Sequence, residues 1–179
     1  MKTCTRVIAM LLLFATSALA ATPAKSVKWL DDFANAKSEA KKTGKPILVN
    51  FTGSDWCPWC IKLDKEVFSQ KAFLDYASAN LVLAIADFPR GKKLPARVVK
   101  QNESLQAKYQ IQGFPTVLLL DGEGQLLGQT GYVPGGAEAY VTNIKSLLEK
   151  SGWKPPVASN KTEKAEAPSL MAPVAPAAK

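Results

Sequence analysis

The chain has 179 residues, of which 47% are hydrophobic, and its 23 Lys and Arg residues outnumber its 15 Asp and Glu residues. It contains no histidine, which excludes a Cys-His or Ser-His-Asp nucleophile and an imidazole-ligated metal site. The formal net charge of +8 favours binding to acidic partners or anionic surfaces.

Residues 1–20 have the pattern of a signal peptide. Lys2 and Arg6 form a positive start, residues 7–15 are an apolar run, and Ala-Leu-Ala at residues 18–20 fits a cleavage site. The apolar run is shorter than the roughly 20 residues of a membrane-spanning helix, although an uncleaved anchor is the alternative. We therefore expect a periplasmic protein, for which nucleic acid is not an expected partner.

We expect one domain over residues 21–153, and its first half alternates helices with strands. Apolar residues at helical spacing predict a first helix, carried by Trp29, Phe33, Ala36 and Ala40. Residues 47–51 and 81–86 are continuous apolar runs, which are typical of strands buried on both faces. Two such strands bridged by a helix are expected to be parallel, with a right-handed crossover.

The bridging helical region begins at a cysteine. Residues 57–66 predict a helix with Pro58 at its first position, where a missing N–H costs nothing, and Ser69 is expected to cap a second short helix. A helix N-terminus offers free N–H donors and a positive dipole end, which stabilise a thiolate. Because the two cysteines can reach each other there, Cys57 is expected to attack a disulfide and Cys60 to resolve the mixed disulfide.

Three other uses of the cysteine pair are alternatives. A structural zinc site needs four ligands, and the chain lacks the usual set, because Cys4 would leave with the signal peptide. A structural disulfide would stabilise little, because it closes a very short loop. Binding of Cu(I) by the two thiolates stays open. The strand-then-helix context favours redox chemistry.

The second half predicts a helix, a hairpin and a last helix. Residues 90–100 form the densest basic run, without an acidic residue between the cations, and are interpreted as a solvated loop and helix face. A helix is expected around residues 105–109. Residues 116–120 and 125–130 predict antiparallel strands joined by Asp-Gly-Glu-Gly, and residues 140–148 predict the last helix. Together the elements predict an α/β fold with a mixed central sheet flanked by helices.

The end of the chain differs in composition from the domain. Residues 154–179 contain seven Ala and five Pro and no aromatic residue. Such a stretch cannot bury enough apolar surface to offset the entropy lost on ordering. We therefore expect a disordered tail rich in Ala, Pro and Lys.

Gly-Phe-Pro-Thr at residues 113–116 directly precedes the hairpin. A loop proline at the start of a strand is common. The alternative is a cis Phe114–Pro115 bond, and the cis form occurs in only about 5–6% of X–Pro bonds. A cis bond would present the N–H and C=O of Phe114 to a substrate strand, and the upstream cysteine pair favours this second interpretation.

The chain resembles the thioredoxin superfamily over residues 26–151. Trp-Cys-Pro-Trp-Cys at residues 56–60 and the later Gly-Phe-Pro-Thr are the two hallmarks of that superfamily. More narrowly, residues 51–57 and 131–136 resemble exported DsbH-like thiol oxidoreductases. The resemblance implies the thioredoxin fold, with Cys57 as nucleophile and Cys60 as resolving cysteine. It also implies a substrate-facing surface made of Trp56, Pro58, Trp59, Phe114 and Pro115.

Three features depart from the thioredoxin pattern. Asn50 stands at the strand position of the buried, proton-accepting Asp of thioredoxins, with one extra residue before the tryptophan. The pair between the cysteines is Pro-Trp rather than Gly-Pro, and Ile61 replaces the usual basic residue. We expect Asn50 and Asp55 to be the residues that tune the thiol pKa, since Asp55 is an anion near Cys57.

The sequence therefore predicts a dithiol–disulfide oxidoreductase with no cofactor beyond its redox-active Cys57–Cys60 disulfide and no metal. The resemblance implies a monomeric reductase of exported cysteine-containing proteins, supplied with electrons by a DsbD-type membrane protein. A disulfide oxidase or isomerase using the same residues is one alternative. A non-enzymatic protein that binds Cu(I) or the envelope is the other.

Overall fold

The computed structural model of the protein describes residues 27–154. The predicted signal peptide lies outside these residues, as does the predicted tail apart from its first residue. The elements follow in the order β1 (Trp29–Leu30), α1 (Phe33–Thr43), β2 (Ile47–Thr52), α2 (Pro58–Leu63), a π-helical segment (Asp64–Phe68), α3 (Lys71–Asn80), β3 (Val82–Asp87), α4 (Ala96–Lys108), β4 (Thr116–Leu120), β5 (Leu126–Thr130) and α5 (Gly136–Lys150).

A five-stranded sheet with the order β1-β3-β2-β4-β5 forms the centre of the fold. β2 and β3 are parallel, as the two apolar runs bridged by a helix predict. β4 runs antiparallel to β2, and β5 extends the sheet as the second strand of the predicted hairpin. The structure thus confirms the predicted thioredoxin fold, an α/β fold with a mixed central sheet.

The sheet separates two hydrophobic layers, and β2 contributes to both because every residue of that strand is buried. Ile47, Val49 and Phe51 pack in the layer that contains buried residues of α1 and α4. Leu48 packs in the other layer, with buried residues of α2, α3 and α5. Burial of one such side chain contributes about 1.5–3 kcal/mol, so alternate residues of β2 hold both helical layers on the sheet.

The start of the domain differs from the prediction. Trp29 was expected in the first helix, but it lies in β1 and pairs with Leu83 of β3. The helix begins only at Phe33, because the side chain of Asp32 accepts a hydrogen bond from the N–H of Asn35 and caps it. Trp29 is apolar because it packs in the hydrophobic layer on the other side of the sheet from α1. There the centroids of its indole and of the Phe68 ring are 5.1 Å apart.

The helical region after β2 also continues further than predicted. α2 passes directly into the π-helical segment, which ends where the N–H of Ser69 donates to the carbonyl of Asp64. The predicted capping role of Ser69 is therefore wrong. Its hydroxyl bonds the Asp64 carboxylate, and α3 starts after Gln70 without a side-chain cap.

The topology brings the predicted site together at one edge of the sheet. β2 ends at Thr52 and leads to Cys57, whereas the antiparallel β4 begins at Thr116, directly after Pro115. Because Thr116 pairs with Phe51, the amino end of β4 lies beside the carboxyl end of β2. The segments 53–60 and 113–116 therefore meet at that edge.

Candidate active site

The helix that carries the cysteines begins as the sequence predicts. Cys57 is the N-cap residue of α2 and has an extended backbone, and Pro58 occupies the first helical position. The Sγ atom of Cys57 accepts a hydrogen bond from the N–H of Cys60 at 3.3 Å. An N–H donor aimed at sulfur stabilises a thiolate more than a thiol, so the geometry favours ionisation of Cys57 on reduction.

Cys57 and Cys60 form a disulfide, with 5.2 Å between their Cα atoms. Each residue is only 4% exposed, whereas Pro58 and Trp59 between them are exposed. The pair therefore lies just beneath a surface made by its own connecting residues. The two cysteines are one helical turn apart, so the disulfide joins residues within the first turn of α2.

The other predicted substrate-facing residues surround the disulfide. The Phe114–Pro115 peptide bond is cis, as predicted, and both residues are half-buried. The ring of Phe114 meets the indole of Trp56 edge-on, at 6.0 Å between centroids. The structure thus brings the two hallmark segments together, although their contact with a substrate stays a prediction.

A loop that was not assigned to the site from the sequence holds Trp56, the residue next to Cys57. The indole Nε1 of Trp56 donates to the carbonyl of Phe88 at 2.7 Å. The guanidinium of Arg90 lies 3.9 Å from the centre of the Trp56 ring. Phe88 also packs against Phe114, with 5.1 Å between the ring centroids. Trp56 therefore contacts Phe88, Arg90 and Phe114. We name residues 88–93 the basic loop.

Two carboxylates fasten the basic loop. Asp55 accepts hydrogen bonds from the backbone N–H groups of Arg90, at 3.0 Å, and Gly91, at 2.6 Å. These two bonds hold the pKa of the Asp55 carboxyl below its ordinary value of 3.8. Asp55 thus anchors the loop, and its predicted effect on the Cys57 thiol stays a prediction.

The second carboxylate, Asp87, is buried at the end of β3. It accepts from the N–H of Ser54 at 3.0 Å and from the Ser54 hydroxyl at 2.8 Å, and it pairs with Lys92 at 2.8 Å. Sequence reasoning missed Asp87. Its signal was present, because a carboxylate that ends an otherwise apolar buried strand needs partners.

The structure confirms that the basic run is an exposed loop followed by a helix face, because its cations are exposed and α4 begins at Ala96. In addition, the first part of the run is fixed against the segment that leads into Cys57. The register of β2 on β3 pairs Thr52 with Asp87 and so places the two following segments side by side.

Exposed residues of α2 and a half-buried tyrosine of the loop before α5 form a second cluster around Trp59. Trp59 is 55% exposed and packs on Tyr132, with 5.1 Å between ring centroids. The ammonium of Lys62 lies over both rings. Tyr132 donates its hydroxyl hydrogen to Glu66 at 2.6 Å, which raises the pKa of the Tyr132 phenol.

Asn50 lies in the layer beneath the active-site helix. Asn50 follows Leu48 by two positions on β2, so both residues face the same side of the sheet. Leu48 packs in the layer that contains Leu63 of α2. Asn50 is only 7% exposed, and its Oδ1 atom has no hydrogen-bond partner among the described residues. A neutral amide therefore occupies this position, and its predicted influence on the thiol pKa stays a prediction.

Among residues 27–154, no group of three or more Cys, Asp or Glu side chains is arranged to hold a metal ion. In the same part of the chain, no helix combines the length and apolar character needed to cross a membrane.

Comparison with known proteins gives consistent matches. The thioredoxin-like domain family matches residues 33–142. Disulfide bond reductase DsbH of Chlamydia pneumoniae is 37% identical over 126 residues, which are 70% of this chain and 75% of that protein. A solved structure of a DsbH oxidoreductase, also 37% identical, superposes with a TM-score of 0.67 and covers 70% of this chain and 87% of that chain.

A more distant match involves a much longer protein. Thiol:disulfide interchange protein DsbD of Escherichia coli strain K12 is 31% identical over 99 residues. These residues are 55% of this chain but 16% of DsbD, so the likeness concerns one part of that protein.

Proposed function

The chain belongs to the thioredoxin-like family and has the cysteine pair of a thiol-disulfide oxidoreductase, and from this premise we propose that it reduces disulfides in exported proteins. The observation that carries the proposal is the position of Cys57, the helix N-cap whose sulfur accepts the Cys60 N–H and joins Cys60 in a disulfide. This arrangement supplies a stabilised attacking thiolate and a resolving thiol one helical turn away.

In the proposed reaction, the Cys57 thiolate attacks one sulfur of the substrate disulfide. A Cys57–substrate disulfide forms, and the other substrate sulfur leaves as a thiolate that takes up a proton. The Cys60 thiol then loses its proton and attacks the Cys57 sulfur, which forms the Cys57–Cys60 disulfide and releases the second substrate thiol. Two electrons pass from the enzyme to the substrate, one substrate thiol takes up the proton released when Cys57 ionised and the other takes up the Cys60 proton, and no bound cofactor or metal is required.

The reducing direction is supported by the likeness to a protein named a disulfide bond reductase. The residues agree with it, since Ile61 after Cys60 supplies no cation to stabilise the reduced form. Each turnover leaves the enzyme oxidised, so a dithiol donor must return two electrons. We propose a DsbD-type membrane protein as that donor, on the basis of the partial likeness to DsbD.

Export and domain organisation complete the proposal. Residues 1–20 act as a signal peptide that delivers the protein to the periplasm, where oxidised cysteines occur. Residues 21–153 then form the catalytic domain, which acts as a monomer, and residues 154–179 form a tail without a catalytic role.

Cysteine substitutions test the chemistry. With a cystine-containing peptide as substrate and a chemical dithiol as donor, Cys57→Ser is expected to abolish turnover, because no other described residue supplies the attacking sulfur. Cys60→Ser is expected to accumulate a mixed disulfide on Cys57, visible by mass spectrometry under non-reducing conditions. Unchanged turnover in Cys57→Ser would refute the proposal.

The equilibrium with glutathione tests the direction. A reductase is expected to have a reduction potential of about −270 mV, as thioredoxin has, whereas an oxidase such as DsbA has a potential of about −120 mV. A value at the oxidising end would replace the proposed reductase with the oxidase or isomerase alternative while leaving the roles of Cys57 and Cys60 unchanged.

A further inference from the structure

The basic loop brings cations without carboxylate partners to the wall of the disulfide site. Within residues 27–154, Lys92 pairs with Asp87 and Arg97 pairs with Asp32, whereas Arg90 and Lys93 form no ion pair. Both side chains are exposed. The Arg90 guanidinium rests on Trp56, the residue next to Cys57 in the chain, so its charge is held against that indole.

The backbone of the loop and the Arg90 guanidinium are held in position. The Asp55 carboxylate bonds its backbone N–H groups, Asp87 holds Lys92, and the carbonyl of Phe88 accepts from Trp56. Fixed cations lose less conformational entropy on binding an anion than free side chains do. The arrangement therefore suits recognition of a partner more than general solubility.

A cavity of about 370 Å³ adjoins the cations. Its apolar lining comes from Phe88, Pro89, Leu94 and Val99. The rest of the lining is polar or charged: Asp87, Lys92, Lys93, Asn102 and Glu103. Phe88 belongs both to this cavity and to the aromatic cluster at Cys57, since its ring stacks on Phe114. A chain bound at the disulfide could thus place one apolar side chain in the cavity and anionic side chains beside the loop.

We propose that the basic loop is a specificity surface for acidic polypeptide segments next to the substrate's disulfide. This inference rests on the proposed function and names its preferred substrates: disulfides flanked by Asp or Glu, with an apolar residue that enters the cavity. A polypeptide fits better than an anionic membrane, because the cavity is large enough to admit a side chain and shares Phe88 with the aromatic cluster next to Cys57.

The test compares three cystine peptides that differ only beside the disulfide, where they carry two Glu, two Gln or two Lys residues. The protein is expected to reduce the Glu peptide faster than the Gln peptide, by roughly twofold to thirtyfold in kcat/KM, the range for two exposed ion pairs. The Lys peptide should be slower than the Gln peptide. These ratios should shrink as salt is raised well above about 0.15 M, because exposed charges are screened.

The variant Arg90→Gln/Lys93→Gln removes both free cations and keeps the backbone bonds to Asp55. Its Glu-to-Gln peptide ratio is expected to fall to near unity, and the Gln peptide reports any general loss of activity. The matched control is Lys37→Gln/Lys108→Gln. Those lysines also lie over aromatic rings, but beside Gly124, at the opposite end of β4 from Pro115. The control is expected to keep the full ratio.

The outcomes separate this inference from the proposed function. If the native protein reduces none of the three peptides, the proposed function fails. If it reduces all three peptides equally, or if both double variants lose the ratio alike, the specificity surface is refuted. The last measurement is binding of the native protein and the double variants to vesicles of phosphatidylcholine and phosphatidylglycerol, followed by sedimentation. Vesicle binding that depends on Arg90 and Lys93, with no peptide preference, would assign the loop to membranes and overturn the inference.

Discussion

The two sides of the Cys57–Cys60 disulfide are held by different forces. On the side of the basic loop, a buried carboxylate, an indole N–H and backbone amides make directional bonds to elements more than thirty positions away. On the side of Trp59, that exposed ring stacks on the half-buried Tyr132, and the supporting ion pair is exposed to solvent. Several directional hydrogen bonds fix a geometry, whereas ring stacking and an exposed ion pair allow rearrangement, so we expect the first side to orient a substrate and the second to adapt to it.

Removing one carboxylate from each side should give the largest contrast. Asp87→Ala leaves the N–H of Ser54 and the Lys92 ammonium without their partner, so we expect a loss of about 2–4 kcal/mol in the free energy of unfolding. Glu66→Ala removes an exposed partner of Lys62 and Tyr132, and should cost less than about 1 kcal/mol. Urea unfolding of the oxidised proteins measures both values, and equal losses would contradict the contrast.

A smaller effect is expected from crowding the indole on the loop side. A Cβ atom at Gly53 would lie 2.6 Å from Nε1 of Trp56, and that indole is held by Phe88 and Arg90. Gly53→Ala should therefore cost about 1–3 kcal/mol, as overpacking usually does, and shift the tryptophan fluorescence. In the control, Gly113→Ala, the new Cβ meets nothing within 4 Å and stability should change little. A well-tolerated Gly53→Ala would show that Trp56 is not fixed.

The smallest effect concerns the pH dependence of the loop anchor. Hydrogen bonds lower the pKa of Asp55 from 3.8 in the folded state, so their stabilisation is fully present above pH 3.8 and is lost as pH falls through the folded-state pKa. In Asp55→Asn, stability should fall less steeply below pH 3.8 than in the native protein. An NMR titration of the Asp55 carboxyl gives the direct check, and a midpoint at or above 3.8 would contradict the anchor.

Parts of the site governed by neighbouring residues could be predicted from the sequence. The start of α2 at Pro58, the N-cap position of Cys57 and the disulfide to Cys60 depend on residues within one helical turn. The buried strands β2 and β3 follow from continuous apolar runs. The short β1 could not be predicted, because Trp29 continues the helical spacing and only its pairing with Leu83 makes it a strand.

By itself, the sequence determined the chemistry of this protein: two cysteines at a helix start, buried strands to support them and a proline segment before the hairpin. Only the tertiary structure decided what surrounds that chemistry. The contact between Trp56 and the loop at Phe88 and Arg90 depends on the register of β2 on β3, which joins residues far apart in the chain. A local pattern specifies a helix start because its hydrogen bonds are local, whereas the partners of Asp87 and Trp56 exist only once the sheet has formed.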